Sequence, residues 1–350
     1  MKKLFCIFIS LCFLVVASCT THSRKTNKPH GFTEANTIAT TPIKNQGRSP
    51  LCWIYAMLAT IESDRLAEGD SVNLSADYLA RMYLADQAMR SHFSGKEPNL
   101  RGMMTMTPHL MERYGAVPYD SYHNTDATNY NTLMRKVALL ASHRQLLSQY
   151  QQQLSSLLDT EIGYLPRHVF MLGAEYTPQE FAHSVYQPSE WIALTSFTHH
   201  PFGTTFCLET PDNNMGDEFL NVPLDSMTTY IERSLSHGRP VCWEGDISEP
   251  GFDAQNGIAT IADGSMAIDA KARQKAFEMR QTTDDHCMAL VGMAKGKDGN
   301  TYFLAKNSWG DIGRRHGFIV MSKQYLMMKT IAVMIRRSAI DGSISQRKRI

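Results

Sequence analysis

Residues 287–310, CMALVGMAKGKDGNTYFLAKNSWG, constrain the fold of this 350-residue chain more than any other stretch. Two apolar runs flank Asp298-Gly299, a dipeptide that suits the tight turn of a β-hairpin. Antiparallel pairing brings the two ends of such a hairpin side by side. His286 stands just before the first run and Asn307 just after the second, so the hairpin predicts that imidazole and amide meet.

Strand-like text surrounds this hairpin. RPVCWEGDI (239–247) and HGFIVMS (316–322) are short apolar runs rich in β-formers. The first third of the chain differs. CWIYAMLATIESDRLAEG places Trp53, Ala56, Met57, Thr60 and Ile61 at helical spacing, with Gly69 as the stop. LSADYLARMYLADQAM restarts a helix with Ser75 as N-cap, and TPHLMERYGAVP predicts a third with Thr107 as cap, Pro108 in the first turn and Gly115 as stop. Between these regions, about 120–190, Leu133, Val137, Leu140, Leu147, Tyr150, Leu154 and Leu157 predict one long amphipathic helix or a helical pair, an inserted helical subdomain. Helices followed by a sheet imply an α+β fold with any active site at the seam.

A formal net charge of +1 gives no field for nucleic acid, and that partner is excluded. There is no C-x-x-C, no H-E-x-x-H, no phosphate-binding loop and no dinucleotide fingerprint, so neither a metal nor a cofactor is expected. The chemistry must rest on side chains. Cys52 opens a predicted helix, where unpaired N–H groups and the helix dipole favour a thiolate, although a cysteine beside Trp53 also suits plain core. An imidazole at 286 can take the thiol proton and later protonate a leaving amine. Asn307 can orient that ring, with Trp309 shielding the bond from water. Gln46, six residues before Cys52, offers a side-chain donor for the oxyanion of a tetrahedral intermediate, beside the Cys52 N–H.

The N-terminus predicts export. Lys2 and Lys3 precede an apolar run from Leu4 to Val16 that is too short to span a membrane. VASC, ending at Cys19, resembles the bacterial lipobox, which implies a signal peptide over 1–18, acylation of Cys19, a tether over 19–40 and a membrane anchor through lipid. The alternative is an ordinary cleaved signal peptide. Thr20-Thr21 after the cysteine resemble outer-membrane lipoproteins, facing periplasm or cell surface. Residues 341–350 form a basic tail. Cys52, Cys207, Cys242 and Cys287 remain for the folded domain, with no dense disulfide framework.

The stretches NQGRSPLCWIYAMLATIES, LSADYL, RGMMTMTPHLMERYGAVPYDSYH, DDHCMALVG and KNSWG resemble, in order, the papain-like cysteine peptidases. YTPQEF, NVPLDSMTTYIERSLSHGRPVCWEGDI and RQKAFEMRQTTDDHCM resemble the bleomycin hydrolase/aminopeptidase branch. The resemblance implies a two-lobed papain-like domain over 41–340, a helical lobe and an antiparallel β lobe, with the insertion at about 120–190. Cys52 and His286 are 234 residues apart, against roughly 130–150 in ordinary papain-like enzymes, which fits an insertion. The resemblance implies Cys52 as nucleophile, His286 as base and acid, Asn307 as orienter and Gln46 as oxyanion donor. It places Gly102, Asp285, Cys287 and Trp309 at substrate-binding positions, and Glu62 as a structural acid. Arg101 departs from the paired glycines of that pattern, and Ser49-Pro50-Leu51 from its glycine-rich approach to the nucleophile. The implied function is peptide-bond hydrolysis on peptide or protein substrates through a thioester acyl-enzyme, with aminopeptidase and endopeptidase action both open, as is oligomeric state. An acyl-transfer enzyme with the same triad, or a silent lipid-anchored binding protein, are the alternatives.

Overall fold

The computed structural model describes residues 32–124, 128–171, 173–261 and 268–341. The expected signal peptide, Cys19, most of the expected tether and the basic tail beyond Asp341 lie outside the described residues. No helix among the described residues is long and apolar enough to cross a membrane.

The helical lobe comes first: α1 (Cys52–Ala67), α2 (Ala76–Ser94) and α3 (Met106–Tyr114), then α4 (Tyr130–Ser142), α5 (Leu147–Glu161) and α6 (Pro178–Val185). Local chemistry sets most boundaries. Ser75 caps α2 by accepting the Tyr78 N–H at 3.0 Å. Thr177 and Glu180 form a reciprocal capping box on α6. Helix α3 corrects one expectation, because it starts a residue before Thr107. That hydroxyl does not cap; it donates to the carbonyl of Trp53 at 3.2 Å, tying α3 to α1. Helices α4 and α5 are a pair, and their buried Leu133, Val137, Tyr150, Leu154 and Leu158 join the core that also contains α1 and α2. A short hairpin, β2 (Val169–Met171) with β3 (Ala174–Tyr176), follows them.

The second lobe is one mixed sheet. Its strands are β4 (Trp191–Thr195), β5 (Thr205–Cys207), β6 (Glu218–Asn221), β7 (Val241–Gly245), β8 (Phe252–Asp253), β9 (Ile258–Ala259), β10 (His286–Gly296), β11 (Thr301–Lys306), β12 (Phe318–Ser322) and β13 (Thr330–Arg336). They run in the order β5-β6-β4-β13-β7-β10-β11-β12-β9-β8. The β10–β11 hairpin and β12 form where the sequence predicts them. Within the stretch expected to be tether, Phe32–Thr37 instead forms β1, which pairs antiparallel with the distal half of β10. Backbone donors and acceptors of β10 that β7 does not reach are available there, and an extended segment satisfies them.

Helices α7 (Leu224–Ser236), α8 (Ala270–Glu278), α9 (Lys323–Lys329) and α10 (Ser338–Asp341) complete the lobe. The central strands are covered on both faces, which explains why they are continuously apolar. Trp243, Met288, Val333 and Ile335 pack with Leu224, Met227 and Ile231 of α7. Cys242, Cys287, Ala332 and Met334, alternate residues of the same strands, pack in the core that contains α1. That second face is the seam between lobes.

Candidate active site

Cys52 is the first residue of α1, and Leu51 before it offers no side-chain cap, so the N–H groups of this first turn are left without a side-chain partner. His286 is the first residue of β10, the strand that packs against α1. Its Nε2–H donates to Asn307 Oδ1 at 2.8 Å. Asn307 Oδ1 also accepts the Ser308 N–H at 2.8 Å, which fixes the amide oxygen toward the ring. The Trp309 ring lies 4.8 Å from the imidazole at a tilt of 34°. Cys52, His286, Asn307 and Gln46 are all buried, Cys52 at 8% exposure being the most open of them.

The electrostatics point one way. A hydrogen bond from the Cys287 thiol, and then the His286 imidazole, hold the Cys52 thiol well below its ordinary range against the opposing effect of burial. Burial alone would lower His286; the Cys52 thiol and then Asn307 raise it above the usual imidazole value. Each partner therefore favours the charged form of the other, a thiolate beside an imidazolium. Cys287 bears the cost, its own thiol pushed well up by burial and by Cys52. Cys242 is raised above the ordinary range for the same first reason, burial. The four described cysteines are free thiols.

Gln46 reaches the seam because its loop is strung between lobes. Its N–H donates to the carbonyl of Ser308 at 2.8 Å, and the N–H of Gly310 donates to that of Lys44 at 3.0 Å. Gly47 then turns the chain with φ 63°, a conformation a side chain would strain. The Gln46 amide is gripped at both ends: Ser308 Oγ donates to Oε1 at 2.5 Å, and Nε2 donates to the Ser49 carbonyl at 2.7 Å. The sequence reading missed Ser308, although it lies inside the KNSWG motif. Behind this loop, fully buried Glu62 accepts from Thr41 Oγ1, Lys44 Nζ and the Leu74 N–H. This is the structural role expected of Glu62.

The other expected positions separate. Gly102 is closely packed: a Cβ there would meet Met106 Sδ at 2.8 Å and Trp53 Cε2 at 3.0 Å, so the methionine would have to move. The Trp53 indole fixes the same loop by donating to the Leu100 carbonyl at 3.0 Å. Asp285 turns to the backbone, accepting the Ile247 N–H at 2.9 Å, and burial pushes its carboxyl up to about 6. Arg101, the departure from the glycine pattern, has a partner the sequence did not reveal. Its Nε donates to Asp212 Oδ1 at 2.6 Å, and its carbonyl accepts from Asn214 Nδ2 at 3.1 Å. Asp217 in turn accepts from Thr105 and pairs with His109 Nε2 at 2.8 Å. Residues 210–217 of the β lobe are thereby fastened to the helical lobe beside Gly102. Among the described residues, His199, His200 and Glu209 are the one group whose potential metal-ligand atoms lie within 4.8 Å of one another; it includes none of the residues above.

Residues 168–347 match the Peptidase C1-like family. The chain is 24% identical to aminopeptidase G of Lactobacillus delbrueckii subsp. lactis, over 86% of this chain and 82% of that one. It is 22% identical to mitochondrial cysteine proteinase 1 of Saccharomyces cerevisiae, over 83% and 74%. Its fold is similar to the crystal structure of PepW from Lactobacillus rhamnosis, with a TM-score of 0.67 and 18% identity over 91% and 84% of the two chains. With half its length in that match, a papain-like α+β fold and a helix-borne cysteine meeting a strand-borne histidine at the seam, the chain belongs to the Peptidase C1-like family and is a cysteine peptidase.

Proposed function

We propose that the protein is an aminopeptidase whose nucleophile is Cys52. The observation that carries this reading is the mutual electrostatic shift of Cys52 and His286, with Asn307 bound to the far nitrogen of the ring. That bond leaves Nδ1 of His286 to serve the sulfur. The thiolate attacks the scissile carbonyl, and the imidazolium protonates the leaving amine, giving a thioester. Water then attacks the thioester while His286 takes its proton, and Cys52 is released. The oxyanion of each tetrahedral intermediate is held by the Gln46 amide and the Cys52 N–H. Gly102 supplies backbone to the substrate, and Trp309 keeps solvent from the His286–Asn307 bond.

Exopeptidase action is supported by the relatives, which are aminopeptidases by name. The test is hydrolysis of a leucine fluorogenic amide against its Nα-acetyl counterpart, with Cys52→Ala as control. Retention of activity in Cys52→Ala would overturn the assignment of the nucleophile. For location, an exported enzyme held by lipid on Cys19 is the accompanying reading. Metabolic labelling with an alkyne fatty acid tests it, and labelling that persists in Cys19→Ala counts against it.

A further inference from the structure

Glu244 is the fourth of the five residues of β7, a strand buried along its whole length. It pairs across the sheet with Cys287 on one side and Ala332 on the other, so it shares the face that meets α1 and Cys52. Its Oε2 accepts the backbone N–H of Met104 at 3.1 Å, two residues beyond Gly102. Its Oε1 is buried and has no hydrogen-bond partner among the described residues, and the residue is 1% exposed. A buried carboxyl with an empty acceptor is destabilising unless something neutralises or pairs it.

Two more carboxyl groups bear on the same place. Asp212 and Asp284 are joined by the Asp212 N–H, which donates to Asp284 Oδ2 at 3.1 Å. Burial pushes Glu244 well up and Asp212 to about 6, and both are raised further by Asp284 and by the charge on Cys52. Both carboxyl groups therefore lie within the field of the nucleophile. Arg101 answers Asp212 from the rim, with half its side chain in solvent. Nothing in the mechanism above uses this acidity.

We infer that Glu244, backed by Asp284 and Asp212, receives the free α-ammonium of the substrate's N-terminal residue. The inference rests on the aminopeptidase reading. An ammonium carries three donors and a positive charge, the complement of a buried carboxyl acceptor with two further carboxyl groups bearing on it. Glu244 stands opposite Cys287 in the sheet, and the Cys287 thiol hydrogen-bonds Cys52, so the carboxyl is one strand away from the nucleophile's immediate neighbour. Bond lengths of about 1.5 Å and an angle near 111° put an α-nitrogen roughly 2.5 Å from the carbonyl carbon of its own residue. With that carbon about 3–3.5 Å from the sulfur, the ammonium lies within about 6 Å of Cys52. An acylated N-terminus brings neither charge nor three donors, so it leaves Glu244 unpaired. A lysine side chain could bring the same ammonium chemistry from one residue further along, and the experiment separates the two sources.

The experiment measures kcat/KM on leucine amidomethylcoumarin, its Nα-acetyl form, and Nα-acetyl-lysyl-leucine amidomethylcoumarin. The comparison includes the full chain, Glu244→Gln and Asp284→Asn. Glu244→Gln keeps volume and an acceptor for Met104 and removes the charge. Expected is a preference for the free amine in the parent that Glu244→Gln reduces roughly 30-fold or more, the usual scale for breaking a buried charge pair. The loss should appear chiefly in KM. Asp284→Asn should reduce the preference in the same direction, and truncation after Asp341 should leave it intact. If Glu244→Gln does not fold, protection of parent Cys52 from iodoacetamide by leucinamide but not by N-acetyl-leucinamide gives the same information. Equal protection by both, an unchanged preference in Glu244→Gln, or a preference lost on truncation would overturn the inference and leave the aminopeptidase reading standing. A parent that favours the acetyl-lysyl substrate assigns the pocket to a side chain and overturns it too. A parent that cleaves all three substrates equally refutes the aminopeptidase reading itself, and cleavage of none refutes the peptidase site.

Discussion

Replacing Gln46 by Ala isolates a group whose value should appear only during reaction. In the resting structure the amide makes two buried side-chain hydrogen bonds, to Ser308 Oγ and to the Ser49 carbonyl. Losing both leaves two buried polar groups unpaired, a cost to folding of about 2–3 kcal/mol at roughly 1–1.5 kcal/mol each. The loop itself should stay, because the Gln46 N–H to Ser308 and Gly310 N–H to Lys44 backbone bonds do not involve the side chain. Catalysis should suffer more. Removing one oxyanion donor lowers kcat by roughly 10²–10³, about 2.7–4 kcal/mol. KM should barely move, since the contact strengthens only as negative charge develops on the carbonyl oxygen. Ser308→Ala provides the companion, since it keeps the amide and removes what aims it; a kcat loss of about tenfold, ~1.4 kcal/mol, is expected. Steady-state kinetics on the leucine substrate, with thermal unfolding of each variant, checks both. A change confined to KM in Gln46→Ala would refute the oxyanion role, and a fully active Ser308→Ala would refute the claim that the serine aims the amide.

Asn307→Ala should cost less activity than His286→Ala, because the ring remains but loses its anchor; equal loss in two folded variants would show that orienting is too weak a description. The pH profile of kcat/KM should be a bell. Its acid limb reports formation of the lowered Cys52 thiolate, so activity rises with pH below neutrality. Its alkaline limb reports loss of the raised His286 proton, so activity falls only above the ordinary imidazole value of about 6.5. Asn307→Ala should move the alkaline limb to lower pH, and an unmoved limb would contradict the Asn307 contribution. Iodoacetamide should modify Cys52 faster than exposed Cys207, and mass mapping of a time course decides it. Glu62→Ala should lower stability by about 3–5 kcal/mol, because it leaves Lys44 and the Leu74 N–H without their buried partner. Urea denaturation measures that loss, and a shift under 1 kcal/mol would show that the network is not structural.

Much of the scaffold was legible because its causes are local. The Asp298-Gly299 turn, the Ser75 cap and the apolar runs of β10 and β11 each act over a few residues, and each formed where the sequence indicated. The hairpin brought His286 and Asn307 to the same end of the sheet, where they meet just beyond the last β10–β11 pair, Ala289 with Lys306. Thr107 failed as a cap because a tertiary bond to Trp53 claimed its hydroxyl. Residues 32–37 failed as pure tether because the free edge of β10 offered backbone partners that composition does not reveal.

What only the tertiary structure decided is which distant side chains answer one another. Ser308 grips Gln46 across 262 residues, and Arg101 meets Asp212 across 111. Neither pair leaves a period or a spacing in the chain. Glu244 is the clearest case. In sequence it is a charged residue interrupting a strand, and alternation places it on one face or the other without saying what waits there. Only the packing of β7 against α1 sets that carboxyl beside Met104 with one oxygen satisfied and the other without a partner among the described residues. Local signals fix elements because their energetics lie within a turn or a hairpin; a buried charge acquires its meaning from the dielectric and the partners that the whole fold assembles around it.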